Sequence, residues 1–237
     1  MADKDVEPWQ RLMRSRAVPS KEYGFSFVTK EMEARVSDRL LEKFQETYQK
    51  RLVRRLNIEY IKLTSGDVYS PTELNIRKIG DMEGYFQDER AYRMLDPNAM
   101  MYKYAPCEFD TISYVVTELL PGNVGDEYFM TKGHFHATIE RPGIYTTFTG
   151  FGVLILQHKD EKVPVMFSPM ERGTLCYIPP HTCHRVVNIG SEKIIYTGTT
   201  TTDAGWSYGH IKEKGFKYLI VKRNGKAEII PNPKWES

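Results

Sequence analysis

From residue 111 to residue 199 the chain is a succession of short runs rich in β-branched and aromatic residues. The runs span 111–120, 127–131, 144–148, 152–158, 163–168, 174–178, 185–189 and 193–199. Turn signals part them at Pro121-Gly122, Pro142-Gly143, Lys159-Asp160, Arg172-Gly173 and Gly190-Ser191, and a last hairpin, 218–222 with 227–230, folds about Gly225. Short strands at this spacing bury their apolar faces only by closing into a sandwich or a barrel. The reading is therefore a mainly β chain. Its longest apolar runs, such as 153–156, are far too short to cross a bilayer.

A different period precedes the strands. Met32, Val36, Leu40, Phe44, Tyr48 and Leu52 recur every fourth residue among Glu, Lys, Arg and Asp, which predicts one amphipathic helix from Thr29, its cap, to about Leu56. Ile58, Tyr60, Ile61 and Leu63 then predict a short strand ended by Ser65-Gly66-Asp67, and 88–95 one or two helical turns. Residues 1–57 are thus read as an N-terminal arm plus helix, and residues 58–237 as the barrel domain.

With 33 Lys+Arg against 31 Asp+Glu the formal net charge is +2. Nothing in that balance calls for nucleic acid, and no membrane partner is indicated. The first residues lack a basic stretch followed by an apolar core. Cys107, Cys176 and Cys183 are odd in number and without C-x-x-C spacing, so a reducing, cytoplasmic setting is expected, with Cys183 a buried thiol.

Four of the six histidines fall in two short segments, Gly133-His134-Phe135-His136 and Pro179-Pro180-His181-Thr182-Cys183-His184. Side chains two apart on an extended chain point the same way. His134 and His136 would then face one side of a sheet, and a third imidazole from a strand about 48 residues later would complete three nitrogen ligands. Such a set suits a first-row divalent metal with open positions for substrate or water; iron, manganese, nickel and zinc are not distinguished.

These segments resemble the motifs of the cupins, small jelly-roll barrels with one metal in the barrel mouth. The first is His134-x-His136 with Glu140 downstream; the second is Gly173, Pro179, His184 and Asn188. A closer resemblance is carried by Asp81-Met82-Glu83-Gly84-Tyr85-Phe86, Pro121-Gly122, Thr131-Lys132-Gly133-His134-Phe135-His136-Ala137, Val187-Asn188-Ile189-Gly190, Asp203-Ala204-Gly205, Glu213-Lys214-Gly215-Phe216 and Asn232-Pro233. In these the chain, from about residue 58, is similar to the cupin-type glucose-6-phosphate isomerases of archaea and some bacteria.

That resemblance implies a cupin double-stranded β-helix with an N-terminal helical extension, one divalent metal, a homodimer, and interconversion of glucose 6-phosphate and fructose 6-phosphate. Its metal histidines fall on His134, His136 and His184. Its fourth ligand, a glutamate, falls on Gly143, leaving Glu140 as the carboxylate at general cupin spacing. Its substrate contacts fall on Tyr102, Thr117, Thr131, Gly133, Tyr145 and Tyr208. A family tyrosine is Thr200 here, and a family histidine is Trp206.

Aldose–ketose isomerisation needs either a base that carries a proton between C2 and C1 or a metal-assisted hydride shift. The family's base is the missing glutamate, so Glu140 and His181 are the base candidates. Glu127 is a more remote one, expected as a salt-bridged surface group. His158 and His210 are expected outside the site. The departures at Gly143, Thr200 and Trp206 keep a second class open, a cupin that binds a sugar phosphate without isomerising it, or an oxidative enzyme on a three-histidine site.

Overall fold

The computed structural model describes residues 29–50, 52–55 and 74–235. The arm at 1–28 and the short strand expected at 58–63 lie outside the described residues. The chain runs through two helices, α1 (Lys30–Arg35) and α2 (Asp38–Gln49), into β1 (Val53–Arg55). After the next described strand, β2 (Asn75–Lys78), and α3 (Glu89–Arg93) come β3 (Met100–Glu108), β4 (Ile112–Leu119), β5 (Asn123–Val124) and β6 (Glu127–Tyr128). Then follow β7 (Gly143–Thr149), β8 (Phe151–His158), β9 (Met166–Glu171), β10 (Thr174–Ile178), β11 (Thr182–Asn188) and β12 (Ile194–Thr201). Helix α4 (Gly209–Lys214) and the hairpin β13 (Tyr218–Arg223) and β14 (Lys226–Pro231) close the chain.

Strands β7 to β12 are divided between two antiparallel sheets, with β8, β9 and β11 in one and β7, β10 and β12 in the other. One has the order β1-β10-β7-β12-β4-β3-β2, the other β11-β8-β9. This winding, with β7 beside β10 and β12 and with β8 beside β11, is the expected double-stranded β-helix. The sheets face each other: the ring of Tyr145 on β7 lies 5.4 Å from that of His184 on β11. A third sheet, β14-β13-β6-β5, includes the C-terminal hairpin.

Burial follows the layers. Strands β8 and β11 are buried along almost their whole length, which is why Val153-Leu154-Ile155-Leu156 is a continuous apolar run rather than an alternating one. Phe44, Phe151, Phe167, Phe216 and Leu154 are among the largest fully buried side chains. Each such side chain contributes about 1.5–3 kcal/mol relative to leaving it in water.

Three expectations are corrected. The single N-terminal helix is two, broken at Val36. That residue is extended and bridges Ala227 of β14, and the Ser37 amide donates to the Ala227 carbonyl at 2.9 Å. Met32, Val36, Leu40 and Phe44 are all buried across the break, so the period runs on although the helix does not. Thr29 does cap the first piece, its hydroxyl accepting from the Met32 amide at 3.3 Å. The helical reading also ends too late, because Val53–Arg55 pairs with β10 as an edge strand of the large sheet. Finally, the strand expected at 163–168 is β9, Met166–Glu171. It starts beyond Pro164 and tolerates Pro169 because β9 is an edge. Strands β2 and β3 were not expected at all. Among the described residues no helix is long and apolar enough to cross a membrane.

Candidate metal centre and its cavity

His134 and His184 are opposite partners in an isolated antiparallel bridge. The His134 amide donates to the His184 carbonyl at 3.2 Å, and the His184 amide returns the bond to His134 at 3.1 Å. Directly opposed residues of an antiparallel pair put their side chains on the same face. His136, two residues on, joins them by alternation. The ring centroids are 4.3 Å apart for His134 and His184, 5.2 Å for His136 and His184, and 5.9 Å for His134 and His136. One nitrogen from each lies within 4.8 Å of the others.

The protonation pattern is that of ligands. The Nδ1 of His136 lies 2.6 Å from the Arg141 carbonyl, which can only accept, so Nδ1 carries the proton and Nε2 keeps its lone pair. Among the described residues the Nε2 of His184 is buried without a hydrogen-bond partner. Such a group costs about 1–3 kcal/mol unless something fills it. Burial and its two neighbouring imidazoles push His184 well below the usual histidine pKa. His134 is pushed down to about 3, by burial first and by His136 second, and His136 is lowered by burial. Three neutral imidazoles with an orphaned buried nitrogen fit a divalent metal ion.

The triad lines a cavity between the two sheets. All six residues expected to hold substrate, Tyr102, Thr117, Thr131, Gly133, Tyr145 and Tyr208, line it as well. So do the three departures. A Cβ built on Gly143 would sit 3.3 Å from the Cε1 of His136, so position 143 faces the triad and the glycine leaves room there. Thr200 spends its hydroxyl on the Pro142 carbonyl at 2.8 Å, and Trp206 is about half exposed at the rim.

Sequence reasoning missed Tyr104, Lys132 and Tyr196, which also line the cavity. Each reads as an ordinary strand or loop residue. Tyr196 bonds Thr117 and Thr131, and burial raises its pKa far above the usual tyrosine value, as it also raises those of Tyr102 and Tyr145. These phenols stay protonated and donate. Arg77 donates to the Tyr104 hydroxyl at 3.1 Å, adding a cation behind that wall. No described residue lining the cavity is Asp or Glu. A cavity with donors, a lysine and no facing carboxylate suits an anionic ligand.

The base candidates do not enter. Glu140 is exposed in the turn closed by the Arg141 amide on the Thr138 carbonyl, 2.9 Å, and belongs neither to the histidine cluster nor to the cavity wall. His181 turns away at φ +60°, its amide on the Ile139 carbonyl at 2.7 Å, and its ring meets His158 rather than the triad. Glu127 is not a surface group. It is 5% exposed, accepts the Gln87 amide at 2.6 Å, and is raised in pKa by burial. His210 sits between Phe135 and Trp235, off the cavity wall. Cys183 is buried, as expected, and burial pushes its thiol up to about 12.

A family model described as glucose-6-phosphate isomerase matches residues 76–235, from β2 almost to the end of the chain. The glucose-6-phosphate isomerase of Pyrococcus furiosus is 39% identical over 170 residues, covering 68% of this chain and 88% of that one. That of Thermococcus onnurineus is 38% identical over 182 residues, covering 75% and 95%. The matched span holds the triad, the hydroxyl wall and both sheets apart from β1, and on that footing the chain belongs to the glucose-6-phosphate isomerase family.

Proposed function

We propose that His134, His136 and His184 hold one divalent metal ion, and that the protein uses it to interconvert glucose 6-phosphate and fructose 6-phosphate. The observation that carries this is the orphaned Nε2 of His184 beside two neutral imidazoles, inside a hydroxyl-lined cavity with no facing carboxylate. When bound, the metal would act as a Lewis acid toward the sugar's C1 and C2 oxygens. The chain's own residues do the rest. Thr117, Thr131, Tyr102, Tyr145 and Tyr208 supply hydroxyl donors for the sugar and its phosphate, and Lys132 supplies positive charge. Tyr145, whose ring meets both His184 and Tyr196, holds a phenolic proton within the cavity. We assign Glu140 and His181 no contact with the reacting carbons, since neither lines the cavity.

The protein is proposed to work as a homodimer. Ile144 and Tyr177, cross-strand neighbours on the large sheet, are both exposed and offer apolar surface for a second copy. Light scattering of the purified protein tests that point.

Isomerase function is tested by coupling fructose 6-phosphate turnover to NADPH formation, using metal-reconstituted protein from a host without its own isomerase and His134→Ala as control. Metal-dependent turnover that disappears in the variant is the expected result. A zero rate with metal bound would overturn the proposal and bring forward sugar-phosphate binding without turnover.

A further inference from the structure

Arg185 follows a ligand histidine in sequence, is 2% exposed, and does not line the cavity. A buried guanidinium is costly unless its donors are used. Its Nε and Nη2 both donate to one acceptor, the Lys132 carbonyl, at 3.2 and 2.7 Å. Its Cζ lies 4.5 Å from the centre of the Phe216 ring and 5.9 Å from that of Tyr85. Buried Glu127 acts on it through its charge, but its carboxylate accepts the Gln87 amide.

That single acceptor has a consequence across the peptide bond. Among the described residues no peptide is cis, so the Lys132 carbonyl and the Gly133 N–H point in opposite directions. Arg185 holds the carbonyl on the side away from the cavity, which turns the Gly133 N–H toward it. Gly133 is buried and lines the cavity, and its amide makes no hydrogen bond among the described residues. The preceding amide, Lys132, donates to the Tyr102 hydroxyl in the cavity wall. Position 133 cannot carry a side chain: φ is +76°, and a Cβ would lie 2.7 Å from the Phe216 ring and 3.1 Å from the Arg185 Cβ. The close approach that needs glycine is the approach of the Arg185 and Phe216 stack itself.

We infer that Arg185 is a positioning residue: it fixes the Lys132–Gly133 peptide with the Gly133 N–H facing the cavity, at the substrate contact that the family resemblance already implies for Gly133, where the N–H can receive the phosphate. The inference rests on the reading of the cavity as a sugar-phosphate site. A guanidinium on the carbonyl also polarises the peptide and strengthens its N–H as a donor to an anion.

The test is a titration of 15N-labelled protein with fructose 6-phosphate, following amide resonances. The Gly133 amide proton should move downfield with the sugar phosphate and not with fructose. Arg185→Met should weaken fructose 6-phosphate about tenfold, the loss of one hydrogen bond to a charged group. It should leave metal affinity and the weak binding of fructose unchanged, two readouts that general damage to the fold would move. A static Gly133 amide while Thr131 and Tyr208 shift would overturn the inference and leave the site reading standing. No shift anywhere in the cavity would overturn both. If Arg185→Met does not fold, Arg185→Lys, which keeps the charge and can keep one donor on the Lys132 carbonyl, replaces it and should weaken fructose 6-phosphate by a smaller factor with metal affinity unchanged. Full fructose 6-phosphate affinity in a folded Arg185→Met would overturn the inference.

Discussion

His181 and His184 are three residues apart, and the protein treats them in opposite ways. His184 lies in β11, opposite Leu156 of β8 on one side and His134 on the other, so its ring direction is set twice by backbone register. His181 precedes the strand in a left-handed turn, its amide on Ile139 and its carbonyl accepting from Lys159 at 2.9 Å. Its ring faces His158 at 6.1 Å, and the Nδ1 of His158 already accepts the Asp160 amide at 3.0 Å. Both corners hold a buried ring nitrogen without a partner among the described residues, Nε2 of His184 and Nδ1 of His181, but only the first gathers three imidazoles with nitrogens within 4.8 Å of one another. Histidine count is the same signal in both; pairing register makes only one of them a ligand set.

The largest expected effect breaks this contrast directly. His184→Ala should reduce isomerase turnover to background and weaken metal binding by calorimetry. His181→Asn should change neither, and should hold stability within about 0.5 kcal/mol, because asparagine tolerates the same left-handed backbone. Comparable losses in both variants would mean that the two corners work together after all.

Gly143 sharpens the comparison by asking whether the triad is complete. Gly143→Glu places a carboxylate where the Cβ direction leads toward His136, and should raise affinity for a divalent metal in a competition titration with a chelating dye. Gly143→Ala supplies no donor and asks the His136 ring to yield a few tenths of an ångström, so affinity should fall. Effects of the same sign in both variants would show that position 143 acts through crowding alone.

What could be read in advance follows the same division between local pattern and long-range pairing. The strands from 111 onward were legible because glycine and proline mark their ends, and 174–178 coincides with β10 residue for residue. Strand β3 was not, since Pro106 interrupts Met100–Glu108 and its pairing with β4 is what makes it a strand. The break at Val36 was hidden because pairing with Ala227 buries that residue as fully as a helix would. Within the site, His134, His136 and His184 announce themselves by residue type and alternation. Arg185, Lys132 and Tyr196 do not, because their roles come from what lies across a sheet, about 50 or more residues away: Arg185 donates to the Lys132 carbonyl, and Tyr196 bonds Thr117 and Thr131. Glu127 was misjudged for the same reason, its partner being the Gln87 amide 40 positions earlier.

The smallest effect concerns how His136 is held. Its Nδ1 donates to the carbonyl of Arg141, whose guanidinium grips Asp203 through Nε to Oδ1 at 3.0 Å and Nη2 to Oδ2 at 2.6 Å. The Thr201 hydroxyl donates to the same carboxylate, and that of Thr138 to the Asp203 carbonyl, each at 2.6 Å, so the turn carrying Arg141 is tied to the end of β12. Asp203→Asn loosens the turn and should weaken metal binding toward the low end of the 10- to 100-fold range for groups that orient a ligand histidine. Arg141 and Thr201 hold the Asp203 carboxyl down at about 2. Its folded pKa is below the unfolded value near 3.9, so its contribution is fully present above about pH 4 and fades as pH falls toward 2. Both partners are exposed, which makes the contribution small and sensitive to salt. The wild type should therefore lose slightly more stability than Asp203→Asn between pH 4 and 2, and the gap should narrow in 1 M salt. Equal acid sensitivity in the two proteins would leave the turn held by the Thr138 bond and the His136 contact alone.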